Sequence, residues 1–434
     1  MPRPARSPGS ARSPAPRAQR PTVSDGVGAP GGRAYRARRR VGSAVGRWLP
    51  AAGGIAVLAL AFAALGAAAP HEEWQWDLPP GFPRPRVPAE NPMTVAKVAL
   101  GRHLFYDTRL SGNGTQSCAT CHQQARAFAD PQPRGVGSTG EVHPRGPMSL
   151  ANVAYASALT WANPNMRTLE AQALVPMFGE EPVELGLAGK EQELFRRIRA
   201  ERRYGPLFAA AFPGEADPVT LVNITRAIAS FERTLISGRA PYDRAEHGDH
   251  AAMSAAAQRG EQLFFSEQLE CFHCHGGYNF TGTTDDVTKG FPEVEFHNTG
   301  LYNIGRGHFP ADNPGLMAFT GRAEDEGRMK APTLRNIALT APYMHDGSIP
   351  TLEGVIDHYA AAGRTIADGP HRGVGADNPN KSEFINGFEL TAAQRADLIA
   401  FLHALTDSSF ITDARHANPW LDTLAARGRP RRPE

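Results

Sequence analysis

Apolar residues recur at helical spacing in several separated segments of this chain, and Gly- and Pro-rich stretches divide them. In 93–106, Val95, Val98, Ala99, Leu100 and Leu104 fall near the i, i+3, i+4 pattern and predict a helix. Segments 168–175 and 190–201 read the same way. The most regular stretch is 218–236, with Leu221, Ile224, Ile228, Phe231 and Leu235 on one face. Asp217 and Pro218 are expected to cap it and fill its first turn. Helices at 352–361 and 392–405 close the pattern, the last opened by a Thr391/Gln394 capping box. Pro-rich 74–92 reads as an extended lead-in, 238–241 as a boundary between domains, and 276–328 as loops. With 37 Pro and 44 Gly, the chain is expected to be mainly α with long loops.

One apolar run differs. Residues 48–69 are Ala-, Gly- and Leu-rich, follow Arg38, Arg39, Arg40 and Arg47, and end on three alanines. This is the order of an export signal, and cleavage near Ala69 is favoured over retention as a membrane anchor. Residues 1–47, rich in Pro, Arg, Ser and Gly, read as a disordered basic lead. The expected compartment is therefore the periplasm, with membrane contact only if 48–69 stays uncleaved.

The charge follows that division. Eleven Arg against one Asp give residues 1–69 a balance of +10, and the chain total of +2 leaves −8 in 70–434. An acidic body argues against nucleic acid as a partner. It leaves room for a basic or neutral protein partner.

The chemistry lies in the cysteines. All four fall in two C-x-x-C-H segments, Cys118-Ala119-Thr120-Cys121-His122 and Cys271-Phe272-His273-Cys274-His275. This is the attachment pattern of haem c: two thioethers, and an adjacent histidine as axial iron ligand. A zinc ribbon would hold its cysteine pairs about 15–20 residues apart; these pairs lie about 150 apart. Neither zinc nor a redox dithiol needs a histidine directly after each pair. Two covalent haem c groups are the expected cofactors, with His122 and His275 as proximal ligands.

The two sites also sit in a repeat. Gly101-Arg102-His103-Leu104-Phe105-Tyr106 and Leu110 precede Cys118; Gly260-Glu261-Gln262-Leu263-Phe264-Phe265 and Leu269 precede Cys271. Phe128 and Phe280 follow the two histidines. One duplicated module is expected, with one haem in each of two cytochrome c-like domains. The limits are 78–240 and 241–410, with a final helix packing back and a tail over 411–434.

Further motifs complete a resemblance. Leu104-Phe105-Tyr106-Asp107, Leu169-Glu170-Ala171-Gln172, Pro182-Val183-Glu184-Leu185-Gly186, Ala331-Pro332-Thr333-Leu334-Arg335-Asn336 and Ala341-Pro342-Tyr343-Met344-His345-Asp346-Gly347 stand in one order. Across about 78–405 the chain resembles the bacterial di-haem cytochrome c peroxidases and MauG. Gly112-Asn113-Gly114-Thr115-Gln116-Ser117 and Gly137-Ser138-Thr139-Gly140-Glu141 look closest to the MbnH-like group.

The resemblance implies an exported enzyme that reacts with hydrogen peroxide. It implies a high-valent di-haem state that oxidises a residue, a tryptophan, of a partner protein. The alternative within the family is a peroxidase drawing electrons from a small cytochrome or cupredoxin. Outside it stands a di-haem electron carrier without catalysis, which would need no distal acid. By alignment Glu184 is the distal carboxylate that moves peroxide's proton, and Gln172 and Pro176 line the pocket. The spacing from Pro176 to Glu184 is two longer than in relatives, which keeps Glu180 and Glu181 open as alternatives. A lone Glu in an acidic loop is ordinarily just solvated. Trp161 falls where relatives place an inter-haem tryptophan, although a lone Trp is more often core. Met329 is the implied sixth ligand of the second haem, with Met344 the competitor, Tyr343 weaker, and core packing the plain alternative. His345 reads as a group near the haem or a polar core residue. His143 reads as a surface-loop histidine rather than a mobile ligand of the first haem. Relatives hold calcium between the domains; its ligands do not map here beyond Gly146, near an expected asparagine.

Overall fold

The computed structural model describes residues 72–421. The export segment, the basic lead and the end of the tail lie outside the described residues. No helix among the described residues is long and apolar enough to cross a membrane.

Eight helices of eight or more residues build this region: α1 Val95–Phe105, α2 Leu169–Phe178, α3 Glu191–Ala200, α4 Tyr204–Ala211, α5 Leu221–Glu232, α6 Ala255–Phe264, α7 Leu352–Ala360 and α8 Ala392–Ala404. A two-stranded antiparallel ribbon pairs Thr365 with Val374 and Ile366 with Gly373. The architecture is mainly helical with long loops.

Six helices open on a Ser or Thr whose hydroxyl accepts an amide of the first turn: Thr94, Thr168, Thr220, Ser254, Thr351 and Thr391. The expected Asp217–Pro218 start of α5 is corrected by three residues. Thr220, in extended geometry, accepts from the Asn223 amide, while Asp217 pairs with Arg199. Helix α4 escaped the periodicity because its eight residues, Tyr-Gly-Pro-Leu-Phe-Ala-Ala-Ala, carry no polar face.

The repeat is physical, not only sequential. Helix α1 packs on α5, and α6 packs on α8. Each pair crosses at a glycine: a methyl on Gly101 would collide with the Ala227 carbonyl, and one on Gly260 with the Asp397 carbonyl. Phe105 meets Phe231 at 5.2 Å and Phe128 at 6.0 Å; Phe264 meets Phe401 at 5.2 Å and Phe280 at 6.0 Å. Asn152 and Asn336 both adopt left-handed geometry, φ +60° and +61°. Their amides donate to Leu235 and Leu405 carbonyls at 2.8 and 3.0 Å.

Each half has its own core. One gathers Leu100, Leu104, Phe128, Ile228 and Phe231; the other gathers Phe264, Phe280, Leu398, Phe401 and Leu405. Segment 238–241, read as a boundary, is not slack. Asp407 accepts the amides of Gly238 and Arg239 at 3.1 and 2.9 Å. The chain beyond 410 is also not a free tail as far as Leu421. Phe410, Ile411 and Trp420 join the first core, and Trp420 donates to the His103 carbonyl.

Candidate functional site

Both C-x-x-C-H segments are one-turn helices, Cys118–Cys121 and Cys271–Cys274, and both open onto one cavity of about 690 Å³. A single turn keeps its two sulfurs close and places the following histidine at its end. The His122 Nδ1–H donates to the Phe128 carbonyl at 2.9 Å, and that of His275 to the Phe280 carbonyl at 3.2 Å. Phe128 and Phe280 both take positive φ, +60° and +50°, at the point where each loop carries a carbonyl back to its ring. With Nδ1 committed, Nε2 is the nitrogen left for a metal.

The chemistry of the donors fits haem c. Burial holds both imidazoles below their ordinary value, His275 at about 4, which keeps each ring neutral. Burial pushes all four thiols up, Cys121, Cys271 and Cys274 to about 12. None is disulfide-bonded. The buried Nε2 of His345 and Oε2 of Glu232 lack a partner among the described residues, and both side chains line the cavity.

The two ends of the cavity differ. Near His122 it is lined by Gln172 and Pro176 of α2 and by Glu184. Proline has no amide proton, so α2 loses a rung there and ends within a turn. The returning loop fills in: the amides of Leu185 and Leu187 donate to the carbonyls of Pro176 and Met177 at 2.8 and 2.9 Å. Glu184's own carbonyl accepts the Ser138 amide at 2.6 Å. Burial raises the Glu184 carboxyl above the ordinary carboxylate range. Glu180 and Glu181 are exposed and do not line the cavity. A small hairpin, bridged between Glu180 and Val183, carries both of them on the outside.

His143 departs from the surface-loop reading. It is half-buried and lines the cavity, and its Nδ1 accepts the Arg145 amide at 3.0 Å.

At the other end, Met329 is 8 % exposed and lines the cavity. Its amide and carbonyl bond to those of His297 at 2.9 and 2.8 Å. Met329 lies seven residues before Asn336, as Arg145 lies seven before Asn152. The first module thus has a guanidinium, held by Asn313 at 2.6 Å, where the second has a thioether. Met344 also lines the cavity, with φ +68°. Tyr343 spends its hydroxyl on the Ile337 carbonyl at 3.1 Å. His345 is buried, and desolvation lowers it to about 4.

Trp161 bridges the two modules. Its indole N–H donates to the Gly146 carbonyl at 2.7 Å, and its carbonyl accepts the Lys330 amide at 2.7 Å. Gly146 in turn donates to the His345 carbonyl at 2.8 Å.

Two lining residues escaped the sequence reading. Glu232 is 6 % exposed, and desolvation pushes its carboxyl to about 8. Its signal was available: it stands four residues after Ile228 on the apolar stripe of α5. Lys330 is 9 % exposed, and desolvation brings its ammonium down to about 8. It lies in a loop without periodicity, where no pattern reports burial.

Comparison with known proteins agrees with this geometry. Residues 95–251 match the family model described as di-haem cytochrome c peroxidase, and 329–361 match one described as RoxA-like, cytochrome c-like. The chain is 35 % identical to the methylamine utilization protein MauG of Methylorubrum extorquens, over 75 % of this chain and 82 % of that one. It is 35 % identical to the cytochrome-c peroxidase IdrP1 of Denitromonas iodatirespirans, over 80 % and 92 %. A crystal structure of a MauG-like protein associated with microbial copper homeostasis superposes with a TM-score of 0.78 and 49 % identity, over 80 % of this chain and 99 % of that one.

Proposed function

Because the chain belongs to the di-haem cytochrome c peroxidase/MauG family of peroxide-acting oxidoreductases, we propose a division of labour between its two modules. Each carries one haem c, which supplies peroxide-reactive iron at the first site and stored oxidising equivalents at the second. Cys118, Cys121 and His122 hold the first. Cys271, Cys274 and His275 would hold the second, with the Met329 thioether as a further donor to its iron.

Glu184 takes the proton of incoming peroxide and returns it to the departing oxygen, which leaves as water. Its raised affinity for a proton suits both halves of that task. Gln172 and Pro176 shape the pocket and limit water around the acid. Trp161 relays electrons between the modules through a position bonded to both. The substrate in this reading is a tryptophan of a partner protein, met in the periplasm. The likeness to MauG and to the MauG-like copper-homeostasis protein supports it.

The observation that carries the proposal is the asymmetry of the cavity. Glu184, part-buried and accompanied by Gln172 and Pro176, lines the cavity beside the first attachment site, and a cavity-lining methionine stands at the second module's counterpart of Arg145. A pure electron carrier has no use for the first of these. A donor-fed cytochrome c peroxidase is the second reading, favoured by His143 lining the same cavity.

Optical and EPR spectra of the as-isolated diferric protein, then with peroxide, test this. One five-coordinate haem that reacts without prior reduction supports the partner-oxidising reading. Two six-coordinate haems that react only after one-electron reduction support the donor-fed reading. No reaction with peroxide in either state overturns both.

A further inference from the structure

Lysine side chains are rarely buried, and a buried ammonium is costly unless an anion faces it. The described residues bury two. Lys97 is satisfied: its Nζ donates to Asn91 Oδ1 at 3.1 Å and to the Pro92 carbonyl at 3.0 Å. Lys330 is 9 % exposed, lines the cavity, and has no hydrogen-bond or ion-pair partner for Nζ among the described residues. Lys330 thus brings a cation to the lining of the cavity onto which both attachment sites open.

The backbone fixes which module Lys330 serves. Its amide is bonded to the Trp161 carbonyl, and the preceding Met329 is paired with His297. The following Ala331 carbonyl accepts the hydroxyl of Thr281, six residues beyond His275, at 2.7 Å. The segment is pinned against the second attachment site. The equivalent position in the first module, six residues before Asn152, is Gly146, which has no side chain. At this register the cation belongs to the second module; the first module's cavity-lining cation, Arg145, stands one residue earlier and is held by Asn313. The anions that haem c brings are its propionate carboxylates.

We propose that the Lys330 ammonium pairs with a propionate of the haem attached at Cys271 and Cys274, and so holds that haem's reduction potential up. Cationic charge beside a haem favours the reduced form, which carries one negative charge more. Lys330 is a positioning and tuning residue here. Its role rests on haem being attached at both motifs, which a haemochrome assay of two haems per chain checks separately.

The test is a potentiometric titration of the holoprotein, followed optically and by EPR so that the two haems are resolved. Lys330→Met is expected to lower the reduction equilibrium constant of the second haem about tenfold, a fall of about 59 mV for a one-electron couple. Lys330→Arg, which keeps the charge, is expected to restore most of it. Resonance Raman propionate bending bands should shift in Lys330→Met and hold in Lys330→Arg. Both couples and the propionate bands unmoved in Lys330→Met would overturn the proposal. So would a shift confined to the first haem. If Lys330→Met fails to load two haems, Lys330→Gln with the same readouts decides.

Discussion

The indole N–H of Trp161 donates to the carbonyl of Gly146 at 2.7 Å. Gly146 belongs to the first module's copy of a segment whose second copy contains Met329 and Lys330. The side chain of Trp161 is thereby fixed to one half of the repeat while its backbone is fixed to the other. Replacing it by Phe keeps an aromatic ring but removes the donor and the easily oxidised indole. Trp161→Phe should retain two haems and lose on the order of 1 kcal/mol of stability through the lost hydrogen bond. Peroxide consumption at the first haem should persist while donor or partner oxidation falls at least about tenfold. Stopped-flow spectra beside steady-state turnover separate the two.

Glu184 must be ionised to accept peroxide's proton, and burial raises its pKa. The peroxide rate should therefore rise with pH and reach half its plateau above the ordinary carboxylate range. Glu184→Gln should remove that limb and slow the reaction by about 10²–10⁴-fold. Glu181→Gln, on the exposed hairpin, should leave both unchanged. A pH series of peroxide-mixing rates reads all three.

Glu232 predicts a pH dependence of stability. Its carboxyl is raised from 4.5 to about 8 by desolvation. Between those values the folded chain keeps a proton that the unfolded chain has lost. The stabilising contribution is full below the unfolded value and is lost as pH rises through the folded one. Glu232→Gln should flatten that decline, worth on the order of a few kcal/mol by pH 8. Denaturant unfolding of the two proteins at pH 5 and pH 8 measures it.

The close helix crossings give a structural prediction. Gly101→Ala and Gly260→Ala each place a methyl against a carbonyl of the facing helix. Each should cost about 1–3 kcal/mol or more, because backbone must move to admit it. Gly140→Ala, where a methyl meets open space but φ is +91°, should cost less, from backbone strain alone. Thermal melts of the three rank them.

Met329 and Met344 both line the cavity. Met329→Ala should convert one six-coordinate haem to a high-spin form and lower its potential, since a thioether ligand raises it. Met344→Ala should leave coordination intact. The opposite result would move the ligand assignment to Met344.

Much of this was legible along the chain. The two C-x-x-C-H sites, the repeat and the amphipathic helices rest on local spacing, which sequence order preserves, whereas Gln172, Pro176 and Glu184 were singled out only by the family resemblance. The capping of α5 was misplaced because Asp217 and Thr220 are both good caps, and tertiary packing chose between them.

What the order of residues determined was the cofactor chemistry, since C-x-x-C-H is contiguous and its geometry is that of one helical turn. What only the tertiary structure decided was asymmetry at long range. It held Arg145 on Asn313, turned Glu180 and Glu181 outward while Glu184 faces the cavity, and buried Lys330 without a counter-charge among the described residues. Burial depends on residues far apart in the chain, and no periodic pattern records it in a loop. A charge's need for a partner becomes visible only once its surroundings are assembled.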